Sequence, residues 1–277
     1  MQVVVRGIPV HYEALGAGRP IVMLHGGGTD HRLMTHAFEP AFEGRDGWLR
    51  LYPDLPGMGR TPGADWIKGE DDMLGLVEGF VDAVAGGRRI ALAGASYGGY
   101  LALGYVHRRP TSLDGLLLVA PAVRPAGGPT RLPAHQVFER DEAAVASLRE
   151  DEQSWLGRSV AQTAANLEFF RSAVMPGVRI ADGAFLDRLN AGPNLSVDVS
   201  GPLPEPFAGP TLIVAGRQDN VVGWADTLPL LDSFPRATLA ILDRAGHGVR
   251  GEQRTLVGAL VAEWLDRLEA ESRRERR

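Results

Sequence analysis

The sequence predicts an α/β fold: a mostly parallel central sheet flanked by helices, with a helical segment inserted late in the chain. Three observations carry that expectation. Short apolar runs without alternation recur at residues 21–24, 90–93, 116–120 and 211–215, as in strands buried on both faces. Stretches with helical spacing lie between them; Met73, Leu76, Val77, Phe80, Val81 and Val84 form one apolar stripe. Strand and helix alternate along the chain, which is how a parallel sheet is built.

Taken in order, residues 2–6 and 8–14 read as a hairpin turning at Gly7, and 15–20 as a loop. The strand at 21–24 runs into His25-Gly26-Gly27-Gly28-Thr29-Asp30. Residues 33–42 are weakly helical, 48–52 a strand and 71–84 a helix. The strand at 90–93 leads through a glycine-rich turn to a helix at 100–106, and 116–120 is stopped by Pro121. The composition then changes. Residues 124–133 are rich in Pro and Gly, and 134–175 show helical periodicity without strand runs. A helical turn is expected near 185–189, and 193–210 is irregular. The strand pattern resumes at 211–215, followed by a helix at 224–234, a strand at 238–242 and a helix at 255–268. The charged tail, residues 271–277, reads as a frayed, solvated end. The expected organisation is a core of residues 1–124 and 208–277, interrupted by a helical insertion at 125–207.

With 277 residues, 44% of them hydrophobic, the chain can bury a sizeable core. It has no cysteine, which removes disulfides, thiolate nucleophiles and cysteine–metal sites; that fits a reducing cytoplasm. A net charge of −5 leaves no footprint for nucleic acid. No apolar run approaches a membrane span, and no secretory signal is visible. The basic residues are almost all arginine, read here as coding bias. Neither a cofactor nor a metal is expected. The expected partner is a small-molecule substrate, with a homodimer admitted as an assembly.

The chemistry centres on Gly94-Ala95-Ser96-Tyr97-Gly98-Gly99. Gly-x-Ser-x-Gly between a buried strand and a helix is a turn too tight for ordinary side chains, and it lifts the serine hydroxyl above the sheet. The Tyr97 amide, at the helix start, then faces a developing oxyanion. No phosphate loop fits, because Lys68 is the only lysine and lies elsewhere. A serine hydroxyl needs a base, and the base needs an orienting carboxylate. Such groups belong on loops at the carboxyl ends of strands. Asp219 follows the strand at 211–215 and His247 the strand at 238–242, in the order Ser, Asp, His. Asp243, Asp54, Asp198 and Asp182 are rivals for the acid. Of the other histidines, His25 is placed to orient the glycine loop.

These motifs together resemble the α/β-hydrolase-fold superfamily, in its form with a helical cap. The residues that carry the resemblance are 25–28, 54–59, 94–99, 216–219 and 245–248, in family order across nearly the whole core. It implies Ser96 as nucleophile, His247 as general base and acid, Asp219 as its orienter, and an oxyanion hole from the amides of Gly27 and Tyr97. Trp155, Phe169, Phe170 and Met175 are candidates to line the apolar part of a substrate; packing within the cap is their competing role. A serine at 96 speaks against the dehalogenases and most epoxide hydrolases of this fold, which carry aspartate there. Gly28-Thr29 departs from the proline iminopeptidase pattern. Ala95 and Thr29-Asp30 replace two asparagines usual in meta-cleavage-product hydrolases. The expected activity is a serine hydrolase of carboxylesterase type, acting on a small or medium ester, thioester or lactone. The alternatives are a C–C bond or aminopeptidase-like hydrolase, a ligand receptor on the same fold, and a cofactor-free lyase or perhydrolase.

Overall fold

A computed structural model describes residues 1–123 and 131–275. Residues 124–130, most of the Pro/Gly-rich stretch, and Arg276 and Arg277 lie outside the described residues.

Strands β1 (Gln2–Val5) and β2 (Ile8–Leu15) form the expected hairpin, reversing at Arg6 and Gly7, both of positive φ. Strand β3 (Arg19–Leu24) enters the sheet interior. Helix α1 (His31–Phe38) follows, its first turn capped by Asp30, whose side chain accepts from the Arg32 amide. Pro40 ends it in a short 3-10 turn at Glu39–Phe42. Then come β4 (Trp48–Pro53), α2 (Glu70–Ala85), β5 (Ile90–Ala95), α3 (Tyr97–Arg108) and β6 (Leu113–Val119).

The next stretch is more broken than its periodicity predicts. It holds β7 (Glu139–Arg140), α4 (Glu142–Ala146), a 3-10 turn at Glu150–Trp155, and β8 (Ala161–Gln162), which pairs with β7 in parallel. Helix α5 (Ala164–Phe169) widens into a π-turn at Phe170–Val174 and closes as α6 (Met175–Val178). The wide turn ends two residues before Pro176, which has no amide to give the ladder. Helix α7 (Gly183–Asn190) covers the expected turn. The sheet resumes with β9 (Thr211–Gly216) and β10 (Ala237–Leu242), followed by α8 (Val249–Glu252) and α9 (Arg254–Glu275).

Two further expectations are corrected. The single helix at 224–234 is instead two 3-10 turns, Ala225–Thr227 and Pro229–Asp232; Pro229 cannot sit inside a helix. As far as it is described, the charged tail is helical, since α9 runs to Glu275. Arg273 with Glu269 and Arg274 with Glu271 are spaced to pair along it.

The eight-stranded sheet has the order β1-β2-β4-β3-β5-β6-β9-β10. Pairs β1/β2 and β2/β4 are antiparallel and the remaining pairs parallel. One apolar cluster, including Leu74, Phe80, Tyr105 and Phe234, covers one face. The other, including Phe38, Trp48, Trp264 and Leu265, covers the opposite face. Strands β3, β5, β9 and β10 therefore end on one rim, with the first two adjacent. Residues 131–210 lie partly over that rim. Their own apolar cluster is small, built on Ala144, Trp155 and Leu167. Phe185, Leu189, Leu195 and Phe207 join the first sheet cluster, and Phe169 and Ala173 the second.

Candidate active site

Ser96 sits at the turn between β5 and α3 with φ 53° and ψ −115°, a conformation that costs free energy in a non-glycine residue. The turn closes only because its neighbours are bare. A Cβ on Gly94 would lie 2.3 Å from the Gly98 carbonyl oxygen, and one on Gly98 would lie 2.3 Å from that of Leu24. The strand carrying the glycine loop and the helix carrying Ser96 thus touch backbone to backbone.

His247, on the loop between β10 and α8, meets Ser96. The Ser96 hydroxyl is 3.0 Å from His247 Nε2, and His247 Nδ1 is 2.9 Å from Asp219 Oδ2. An ionised carboxylate only accepts, so Nδ1 carries the proton and Nε2 is left to accept from the serine. Asp219 is fully buried, and its other oxygen accepts from the amides of Val221 (2.8 Å) and Val222 (3.0 Å). Burial pushes its pKa up, but the facing imidazole and these hydrogen bonds outweigh it and hold the carboxyl below its ordinary value. The rival acids are occupied elsewhere. Asp243 accepts from Gln218 on the surface, Asp182 caps α7, and Asp198 accepts from Ser200.

Asp54 is a structural anion. It accepts from the His31 and Arg60 amides and from His31 Nδ1. Burial pushes it up, yet these bonds hold it at about 2. His25 is fully buried behind the glycine loop. The Leu55 amide donates to its Nε2, so its Nδ1–H donates to the Gly26 carbonyl. One imidazole thereby ties the loop after β3 to the loop after β4. His11, His31 and Asp54 approach closely enough to suggest a metal-ligand set. Both Asp54 oxygens are, however, already engaged by protein donors.

The Ser96 hydroxyl opens onto a cavity of about 310 Å³. Gly26, Gly27 and Thr29 form its floor with Ser96 and His247. Trp155, Phe169, Phe170 and Met175 all line it, joined by Leu33, Val174 and Val178. Trp155 also stacks obliquely on Phe170, with ring centroids 6.3 Å apart, so packing and lining are combined in those two. Tyr97 borders the floor without lining it. A Cβ on Gly27 would lie 3.5 Å from the Tyr97 Cβ, while the Tyr97 hydroxyl donates to Glu70 at 2.5 Å. The covering residues press onto the glycine loop at Gly177, where a Cβ would sit 2.6 Å from the Asp30 amide nitrogen. Lys68 is exposed and away from the cavity.

Sequence reasoning missed the polar part of this wall. Ser154, Arg158, Ser159, Asn166, Arg250 and Glu252 also line the cavity. The available signal was spacing: Arg250 lies three residues beyond His247, about one helical turn. It was hidden among many arginines. Glu252 fixes the wall to the histidine loop, accepting from the Val160 and Gly246 amides, each at 2.6 Å.

The comparisons with known proteins agree with this architecture. A sequence profile of the Alpha/beta hydrolase family matches residues 21–259. The 2-hydroxy-6-oxo-6-phenylhexa-2,4-dienoate hydrolase of Comamonas testosteroni is 26% identical, over 92% of this chain and 91% of that protein. The AB hydrolase superfamily protein YisY of Bacillus subtilis is 24% identical over 93% of this chain and 95% of its own length. Among solved structures, an alpha/beta superfamily hydrolase from Oenococcus oeni PSU-1 superposes with a TM-score of 0.86 at 25% identity, covering 97% of this chain and 99% of its own. With the profile spanning most of its length, this chain belongs to the alpha/beta hydrolase family.

Proposed function

We propose that the chain is a serine hydrolase that cleaves a small ester, thioester or lactone through an acyl-enzyme on Ser96. The observation that carries this reading is the continuous hydrogen-bonded line from Ser96 through His247 to Asp219. His247 Nε2 takes the serine proton as Oγ attacks the substrate carbonyl carbon. Asp219 holds the ring in the required tautomer and offsets the charge of the imidazolium. The tetrahedral oxyanion is received by the amides of Gly27 and Tyr97, each worth ~2.7–4 kcal/mol to the transition state. The C–O or C–S bond then breaks, and Nε2–H protonates the departing alcohol or thiol. Water, deprotonated by the same nitrogen, attacks the acyl carbon; the acid leaves and the proton returns to Oγ. Residues 125–207 act as the cap, with Trp155, Phe169, Phe170 and Met175 against the apolar part of the substrate.

A second reading is a C–C bond hydrolase, supported by similarity to hydrolases of 2-hydroxy-6-oxo-dienoates over 92% and 93% of the chain. Ala95 and Thr29-Asp30, in place of the asparagines usual in that group, favour the ester. Three assays separate the cases. With p-nitrophenyl acetate, Ser96→Ala is expected to abolish turnover, and a fluorophosphonate is expected to label Ser96 in the unaltered chain. Undiminished turnover in the variant, or no labelling, removes the serine mechanism. Loss of a 2-hydroxy-6-oxodienoate chromophore at a rate well above ester turnover selects the C–C reading.

A further inference from the structure

Arg250 is a feature of the cavity that the serine mechanism leaves unexplained. It lies on α8, one turn past His247, and is only 6% exposed. Its Nε and Nη1 are buried and have no hydrogen-bond partner, and no ion pair to it exists among the described residues. Burial pushes its pKa down to about 10, with Asp219 and Glu252 opposing the shift, so it stays charged at neutral pH. A buried cation with unmet donors is costly, by several kcal/mol on the order of the effective penalty per ion. The neighbouring carboxylates favour the charge from a distance but leave Nε and Nη1 without an acceptor. Asp219 is committed to His247, Val221 and Val222, and Glu252 to Val160 and Gly246. Yet Arg250 lines the same small cavity as Ser96.

We propose that Arg250 anchors a carboxylate carried by the substrate, so that the molecule cleaved at Ser96 is a small monoacid with an apolar middle. The inference rests on the hydrolase reading and narrows its substrate class. A guanidinium matches a planar carboxylate with paired N–H donors, and such charge-assisted bonds strengthen where water is excluded. One negative charge fits better than two, because Asp219 and Glu252 already place negative charge around the guanidinium. The apolar side chains of Leu33, Phe169 and Val174 suit the carbon chain between anchor and carbonyl.

The test compares kcat/KM for monomethyl glutarate and the neutral methyl hexanoate, followed by alkali uptake on the full chain. The unaltered chain is expected to favour the charged ester by about tenfold or more, roughly what one such interaction supplies. Arg250→Gln is expected to lower that ratio by a similar factor. A preference for methyl hexanoate, or a ratio that survives Arg250→Gln, overturns the proposal. Fluorophosphonate labelling of Ser96, run alongside, reports on the hydrolase reading separately. Calorimetric titration of butanoate against butanamide needs neither turnover nor a variant. Tighter binding of butanoate supports the anchor, and equal or weaker binding refutes it.

Discussion

Glu70 shows how a single buried carboxyl ties pH to stability close to Ser96. It accepts a hydrogen bond from the hydroxyl of Tyr97, the residue after Ser96. Burial raises its pKa, the Tyr97 bond lowers it and Asp71 raises it again, leaving it at about 7 against 4.5 for a free glutamate. Below pH 4.5 both folded and unfolded chains hold the proton. Between 4.5 and 7 only the folded chain does, so stability falls as pH rises, by about 3 kcal/mol at full effect. Urea midpoints of the unaltered chain should therefore decline from pH 5 to pH 8, and Glu70→Gln should show a smaller decline. Equal declines in the two chains would place the carboxyl's effect elsewhere. Residues were also the level at which the sequence was most uneven as a guide. Ser96 and His247 stood out as polar residues in glycine-rich turns after apolar strands, and Asp219 as a carboxylate after the next such strand in the order Ser, Asp, His. Arg250 did not, since nothing in a one-dimensional string separates a buried arginine from a solvated one.

Among the elements, α8 is four residues long, yet it holds the histidine loop to the cavity wall through Glu252. Removing that carboxylate strands two buried amides, at about 1–3 kcal/mol each. Glu252→Ala is expected to speed amide hydrogen exchange at Val160 and Gly246 and to lower kcat by about tenfold, through looser positioning of His247. Unchanged exchange at both amides would show that the clamp is not holding them. The elements also explain what was readable in advance. Parallel strands announce themselves as apolar runs, and α2 as a clean stripe, because each buries a whole face. Residues 139–178 form pieces of two to six residues that borrow their burial from neighbours, so periodicity suggested longer helices than exist. Residues 225–232 misled for a related reason: the apolar spacing was helical, but Pro229 divides it.

For the molecule as a whole, the covering segment is not an independent body. Its own cluster rests on Ala144, Trp155 and Leu167, whereas Phe185, Leu195 and Phe169 insert into the clusters on the two faces of the sheet. A unit with so small a core has little stability of its own. Calorimetry is expected to show one cooperative transition for the full chain. Two resolved transitions would mean that the covering segment melts alone. No helix among the described residues is long and apolar enough to cross a membrane. The overall architecture was legible because five motifs fell in family order on successive strand ends. The shape of the cavity was not, because it is set where distant segments meet.

The serine and the imidazole stand 151 residues apart in the chain. A ribosome that has released β5 and α3 has therefore made the alcohol but not the imidazole it meets. Only when the last strand docks against β9 does the hydroxyl acquire its proton acceptor. A chain that stops short of β10 accordingly holds the serine without the histidine that hydrogen-bonds it.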